Sequence, residues 1–195
     1  LEIPRVRRTA WKIYSDSDHA RQKLNRRSRT GGYLSIEGMP LMFICQSQHG
    51  VAISSTESEI VAMSTVSQKV LGVVGTLEEI FSYRQTVAFD RLPKTISVTL
   101  DFDTLVRVAL PVPVLVDNDA ARLIATAPNL SEKAKHIEIR FLACLSWFRS
   151  GKIDYQRVDT NRNLADFFTK PIAAVVAGVK KFLYFVKALM YTDSG

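Results

Sequence analysis

Cysteine is scarce in this chain of 195 residues, and no hydrophobic run is long. The two cysteines, Cys45 and Cys144, lie far apart with no CxxC or Cys/His spacing. This spacing argues against a zinc site or a disulfide framework and predicts two buried thiols in a reducing compartment. Apolar runs such as 70–74 and 173–177 are much shorter than the roughly 20 residues of a membrane span, and no signal peptide opens the chain. We therefore expect a soluble intracellular protein without a membrane partner.

Positive charge is concentrated at one end of the sequence. Hydrophobic residues make up 47% and charged residues 23%, which predicts one globular domain over residues 1–195. The formal net charge is +7, and residues 1–30 alone hold nine Lys/Arg against three Asp/Glu, a local excess of +6. A polyanion such as nucleic acid suits this excess, and a solvated basic arm is an equally good interpretation.

The periodicity of apolar residues predicts an α/β fold. Three antiparallel strands come first, and two further strands follow through helical crossovers, which makes the last two parallel. The predicted strands are 10–16, 32–36, 41–46, 112–116 and 153–158, and the predicted helices are 57–82, 120–127, 133–149, 162–170 and a C-terminal helix 173–191. Residues 83–111 are irregular and are predicted to form a long connection or insertion.

Acidic residues stand at the places where such a fold carries its site. Asp16 ends the first strand and Asp117 ends the fourth, so their carboxylates meet if these strands pair. Glu59 in the first long helix and Asp166 after the last strand complete a set of four, which suits a pair of Mg²⁺ or Mn²⁺ ions. Taken singly, each has another interpretation. Glu59 would form a capping box with Thr56, Asp117 would cap the next helix, and Asp166 would be an exposed helix acid.

Seven short motifs appear in a fixed order along the chain. They are residues 14–18 (YSDSD), 26–28 (RRS), 32–33 (GY), 54–59 (SSTESE), 116–118 (VDN), 135–140 (KHIEIR) and 164–171 (LADFFTKP). In this order the chain resembles the ribonuclease H domain that ends the polyprotein of copia-type LTR retrotransposons, over about residues 12–172.

The resemblance implies a ribonuclease H-like fold and hydrolysis of the RNA strand of an RNA/DNA hybrid with two Mg²⁺ ions, with Mn²⁺ as a substitute. It assigns Asp16, Glu59, Asp117 and Asp166 as catalytic metal ligands. Asp16 would bridge both ions, Glu59 and Asp117 would hold the one near the leaving group, and Asp166 would help hold the one that activates water. A reverse transcriptase domain is an implied partner, and a virus-like particle is one implied location.

Contacts to nucleic acid are expected from basic and hydroxyl side chains near these acids, with loop solvation, helix capping or a structural histidine as alternatives. The candidates are Arg26, Arg27, Ser54, Ser55, Thr56, Asn118, Lys135 and His136. Residues 19–21 and 43–48 depart from the family's usual sequence, and the second segment lacks the usual lysines. These departures keep open an inactive domain that binds nucleic acid or serves as a structural subunit.

Overall fold

In the computed structural model, residues 11–20, 26–36, 38–86, 110–127, 138–170 and 182–187 are described. The five strands are β1 (Trp11–Asp18), β2 (Arg29–Ile36), β3 (Met39–Ser47), β4 (Val112–Val116) and β5 (Ile153–Arg157). The helices are α1 (Ser55–Thr86), α2 (Asp119–Thr126) and α3 (Glu138–Arg149). A 3₁₀ turn (Thr160–Arg162) and a second 3₁₀ segment (Leu164–Phe168) follow β5, and residues 182–187 are helical.

The strands form one mixed sheet in the order β3-β2-β1-β4-β5. β1, β2 and β3 are antiparallel neighbours, and β4 pairs parallel to β1 on one side and to β5 on the other. Asp16 stands opposite Gly31 in the first pair, and Ser15 stands opposite Val116 in the parallel pair. The predicted ribonuclease H-like sheet, three antiparallel strands followed by two parallel ones, is confirmed.

The main core lies between the sheet and the helices. One stripe of α1 is buried against β1 and β2, and α3 adds its own apolar side chains. The largest buried members are Ile13, Leu34, Ile60, Met63, Val66, Val70, Val112, Val114, Phe141 and Ile153. By length and composition residues 55–79 would also pass as a membrane span, but this stripe packs in the core, as it does in the central helix of a globular domain.

A smaller cluster covers the other face of the sheet. Tyr14 and Tyr33 pack there against Leu164 and Ala165 of the 3₁₀ segment. β-strand residues alternate between the two faces of the sheet, so the Asp16 side chain and the open face of Gly31 lie on the same face as these tyrosines. The 3₁₀ segment is thereby held directly beside the end of β1.

Several predicted boundaries differ from the structure. α1 extends to Thr86, so the predicted connection 83–111 is helical at its start, and residues 87–109 lie outside the described residues. The predicted helix 162–170 is instead 3₁₀ structure. Asn163 interrupts it and caps a new 3₁₀ segment, because the Asn163 side chain accepts a hydrogen bond from the Ala165 N–H. The predicted helix 133–149 is described from Glu138 onward, and of the predicted helix 173–191 only 182–187 is described.

The prediction that both thiols are buried is wrong for Cys45. This residue lies on β3, which forms an edge of the sheet, and its side chain is exposed. Cys144 is buried in the main core as expected.

Candidate metal centre

Two of the predicted acids lie at the ends of neighbouring parallel strands. Asp16 lies near the end of β1, and Asp117 follows β4 directly, next to the paired residues Ser15 and Val116. Adjacent parallel strands end at the same edge of a sheet, which brings the two carboxylates together. The convergence predicted from the sequence is therefore present.

Glu59 reaches the same edge from α1. The Ser17 N–H of β1 donates to Glu59 Oε1 at 3.3 Å, and the hydroxyls of Ser17 and Ser58 lie 2.8 Å apart. These contacts fix the first turns of α1 over the end of β1. As a result, Asp16, Glu59 and Asp117 each offer one carboxylate oxygen, and these oxygens all lie within 4.8 Å of one another.

Burial makes this cluster electrostatically costly. Asp16 is 2% exposed and Glu59 is 7% exposed, whereas Asp117 is half-buried. Burial raises the pKa of Asp16 from 3.8 to about 7; Lys170 and the Thr169 hydroxyl oppose the rise, and Asp166 and Asp117 add to it. Burial, followed by the charges of Asp16 and Asp117, raises the pKa of Glu59 well above its usual 4.5, against the hydrogen bond from Ser17.

Asp166 lies beside this cluster and outside the group of three. Its 3₁₀ segment is anchored by Asn163, whose side-chain amide donates to the Ser15 carbonyl at 3.0 Å. The buried Asp166 carboxylate forms an ion pair with Lys170. The same ammonium lies 3.9 Å from Asp16 Oδ2, so Lys170 connects the fourth acid to the other three.

Thr169 and Lys170 are site residues to which the sequence analysis gave no role. The Thr169 hydroxyl donates to Asp16 Oδ2. Burial alone would lower the pKa of Lys170, but Asp16 and Asp166 raise it above 10.5. Both residues stand in the 164–171 motif, and that position was the only sequence signal that pointed to them.

The alternative interpretations of Glu59, Asp117 and Asp166 are wrong, and Asp166 is a buried acid of the 3₁₀ segment, not an exposed helix acid. The start of α1 is capped by Ser54, whose side chain accepts from the Glu57 N–H at 3.1 Å, so the predicted capping box of Thr56 with Glu59 is absent. The α2 helix is capped by Asn118, which accepts from the Ala121 N–H at 3.0 Å. Glu59 and Asp117 are therefore not engaged as helix caps.

The predicted nucleic-acid contacts are spread around this edge. Arg26 and Arg27 are exposed in the turn before β2, and Ser55 and Thr56 begin α1 with exposed or half-buried side chains. Ser54 serves as a helix cap, the alternative that the sequence had left open, and Asn118 also caps a helix. Lys135 and His136 lie outside the described residues.

The three clustered carboxylates fit a hard divalent cation. They supply only oxygen ligands, the type that Mg²⁺ and Mn²⁺ prefer. Glu59 Oε2 is buried and has no hydrogen-bond partner among the described residues, so it is an acceptor that a cation would satisfy. Two ligands on opposite sides of Mg²⁺ lie about 4.2 Å apart, so an upper spacing of 4.8 Å requires only small side-chain adjustments.

No family model matches the chain. The chain is 25% identical over 160 residues to a retrovirus-related Pol polyprotein from transposon RE1 of Arabidopsis thaliana, covering 82% of this chain and 9% of that protein. It is 24% identical over 162 residues to the corresponding polyprotein from transposon RE2 of the same plant, covering 83% of this chain and 10% of that protein. Among solved structures it is similar to a ribonuclease H1 isolated from compost by a metagenomic approach. That match has 14% identity and a TM-score of 0.46, and it covers 81% of this chain and 91% of that one.

This chain thus spans about a tenth of the length of the polyproteins that it matches. The resemblance drawn from the motifs is confirmed: the chain is a homologue of one segment of the retrovirus-related Pol polyproteins of transposons.

Proposed function

We propose that this chain is a metal-dependent endonuclease that hydrolyses the RNA strand of RNA/DNA hybrids. The observation that carries the proposal is the cluster of Asp16, Glu59 and Asp117, whose oxygens lie within 4.8 Å of one another at the carboxyl ends of β1 and β4. Two of these acids are buried together, which is unfavourable unless a cation neutralises them. A nuclease centre accounts for this arrangement.

Asp16, Glu59 and Asp117 would hold a divalent cation, and Asp16 together with Asp166 would face a second. When bound, Mg²⁺ ions at such a centre supply an activated water and stabilise the leaving oxygen of a phosphodiester. Asp16 is central in this scheme because it is the acid that both groups share. Lys170 lies close to both Asp16 and Asp166 and offsets part of their negative charge.

The chain itself orients these ligands before any cation binds. The Ser17 N–H fixes one oxygen of Glu59, and the Thr169 hydroxyl fixes one oxygen of Asp16. Each hydrogen bond leaves the second oxygen of the carboxylate available. Such preorganisation limits the side-chain entropy that is lost when the centre assembles with its substrate.

A nucleic-acid substrate agrees with the charge of the protein. The net charge of +7 favours a polyanion, and the exposed Arg26 and Arg27 lie in the turn that leads from β1 back to β2. Arginine is well suited to the phosphate groups of either strand. A reverse transcriptase domain of the same polyprotein would be the natural neighbour of such a nuclease, and it would add affinity for the hybrid.

The test is cleavage of an RNA/DNA hybrid labelled on the RNA strand, with Mg²⁺ or Mn²⁺ and with EDTA as the metal-free condition. The unaltered chain is expected to cut the RNA strand, and Asp117→Asn is expected to lower the rate at least a hundredfold. Asp154→Asn is the matched control, because Asp154 accepts a hydrogen bond from Gln156 on β5 and lies outside the acidic cluster.

Single-stranded RNA, duplex DNA and duplex RNA serve as competing substrates in the same assay. Failure of the unaltered chain to cut any of them in either metal would contradict the nuclease proposal. Binding of the hybrid without cleavage would support the alternative of an inactive binding subunit. Equal cleavage by the unaltered chain and by Asp117→Asn would exclude the acidic cluster as the centre.

A further inference from the structure

A cleft of about 680 Å³ with a mixed polar and apolar lining opens on the face of the sheet that α1 and α3 cover. Its walls come from β2, the end of β3, α1 and α3. It is distinct from the acidic centre, since none of the four acids lines it.

The chemistry of the lining favours an anion. Lys69 of α1 and Arg140 of α3 are basic residues, and both side chains are exposed. No lining residue in the described part of the chain is acidic. Amide and hydroxyl groups supply further hydrogen-bond donors, and the half-buried Trp147 adds an aromatic surface. Charged and amide donors next to an aromatic ring are the groups that bind a nucleic-acid strand.

The cleft is joined to the acidic centre through one buried side chain. Gln48 is 4% exposed, and its amide donates to the Thr30 hydroxyl at 3.2 Å and to the Ser58 carbonyl at 2.9 Å. Thr30 stands opposite Ser17 in the β1–β2 register, and Ser17 in turn holds Glu59. The wall of the cleft and the ligands of the centre therefore share one rigid framework.

The distance along α1 between the acidic centre and the cleft fits a nucleic-acid strand that contacts both. Lys69 follows Glu59 by ten residues on α1, about 15 Å along the helix axis at 1.5 Å per residue. Lys69 and Arg140 belong to different helices, so the cleft has one positive side chain from α1 and one from α3. Two such side chains can each contact a phosphate of one nucleic-acid strand.

We propose that this cleft binds the phosphodiester backbone of a nucleic-acid strand that extends from the acidic centre, with Lys69 and Arg140 as its phosphate contacts. The proposal rests on the nuclease function, because it names where the substrate of that centre continues. It adds a binding surface that lies outside the seven sequence motifs except for residues 139 and 140.

The experiment measures binding of a fluorescent RNA/DNA hybrid to the full chain in Ca²⁺ and in EDTA over a range of KCl concentrations. Lys69→Ala and Arg140→Ala are each expected to raise Kd about three- to tenfold. Each is also expected to lower the slope of log Kd against log[KCl] by about one, which corresponds to the loss of one phosphate contact. The matched control is the pair Lys12→Ala and Lys152→Ala. These remove the same charge from exposed positions that do not line the cleft.

Thermal melting of each variant establishes that it is folded; alanine is a good helix former, so both cleft variants are expected to match the unaltered chain. If the cleft variants bind the hybrid as tightly as the control pair does, the proposal is wrong. It is also wrong if polyglutamate, and not the hybrid, shows the dependence on Lys69 and Arg140, because the cleft would then be a site for an acidic protein segment.

Cleavage assays keep this proposal separate from the nuclease proposal. Normal cleavage with unchanged hybrid affinity in the cleft variants would reject the cleft and leave the centre in place. No cleavage by the unaltered chain, together with weaker hybrid binding in the cleft variants, would reject the nuclease and retain the cleft as a nucleic-acid site.

Discussion

Replacing Asp16 by asparagine is expected to stabilise the metal-free protein. The pKa of this carboxyl group rises from 3.8 to about 7 in the folded chain, chiefly through burial. Between these two values the folded protein keeps a proton that the unfolded chain releases, so the free energy of unfolding falls as the pH rises. The stabilising contribution of the protonated group is complete below about pH 4 and is lost above about pH 7.

The size of the effect follows from the same shift. Each pKa unit corresponds to about 1.4 kcal/mol, so ionised Asp16 costs the folded state about 4 kcal/mol at pH 8. An asparagine has no charge to bury and still offers an oxygen to the Thr169 hydroxyl. We therefore expect Asp16→Asn in EDTA to gain about 2 to 4 kcal/mol at pH 8 and close to nothing at pH 4.

Urea denaturation in EDTA across this pH range measures the difference directly. Asp154→Asn is the control, and its effect on stability is expected to be small and independent of pH. A variant at position 16 that is no more stable than the unaltered chain at pH 8 would refute the reasoning. A gain of the same size at pH 4 and pH 8 would also refute it, because it would be due to packing and not to charge.

Three further substitutions test other parts of the structure. Lys170→Met in EDTA is expected to lower the free energy of unfolding by about 1–2 kcal/mol, a modest loss because the Lys170 side chain is 38% exposed and its ion pair is partly screened. The same substitution is expected to tighten Mn²⁺ binding in calorimetry, and an unchanged Mn²⁺ affinity would contradict this. Gly31→Ala places Cβ 2.5 Å from a backbone oxygen of the 3₁₀ segment, so it should lower the free energy of unfolding by about 1–3 kcal/mol and reduce cleavage of the hybrid. Gly72→Ala, in open space on α1, should lower neither stability nor cleavage. Tyr155→Phe removes a buried hydroxyl contact and should cost about 1–2 kcal/mol in urea melts with cleavage unchanged; a neutral substitution would count against that contact.

The convergence of Asp16 and Asp117 could be predicted from the sequence because it depends on simple rules. A short apolar strand that is reached through a helix must pair parallel to an earlier strand; here Asp16 lies near the end of one strand and Asp117 directly follows the other. Glu59 was harder to place. Its position three residues after Thr56 was typical of a capping box, but the helix starts at Ser55, and its cap is formed by Ser54 and Glu57.

Contacts between distant segments were not predictable. Gly31 and Thr169 are far apart in the sequence, yet a Cβ at position 31 would lie 2.6 Å from the Thr169 side chain. No local pattern marks a glycine that permits such an approach. The ion pairs of Lys170 were not predictable for the same reason, because they require the 3₁₀ segment to pack beside β1. The exposure of Cys45 likewise depends on β3 being an edge strand.

The placement of the acids on separate elements links cation binding to folding. Asp16 belongs to β1 and Glu59 to α1, whereas Asp117 follows β4 and Asp166 lies in the 3₁₀ segment. The unfolded chain cannot bring them together, so a bound cation stabilises only the folded state. At a Mg²⁺ concentration one hundred times Kd the gain is about 2.7 kcal/mol, which offsets much of the cost of ionised Asp16.

Thermal melts are therefore expected to shift upward with MgCl₂ at constant ionic strength, and KCl alone is expected to have no such effect. The shift should be lost in Glu59→Gln, because that substitution removes the charge of the carboxylate whose Oε2 has no partner among the described residues. A melting temperature that is independent of MgCl₂, or a shift that persists in Glu59→Gln, would mean that cations bind elsewhere on the protein. If the shift behaves as expected, the buried acids lower the stability of the metal-free protein, and the cation restores it when the centre becomes active.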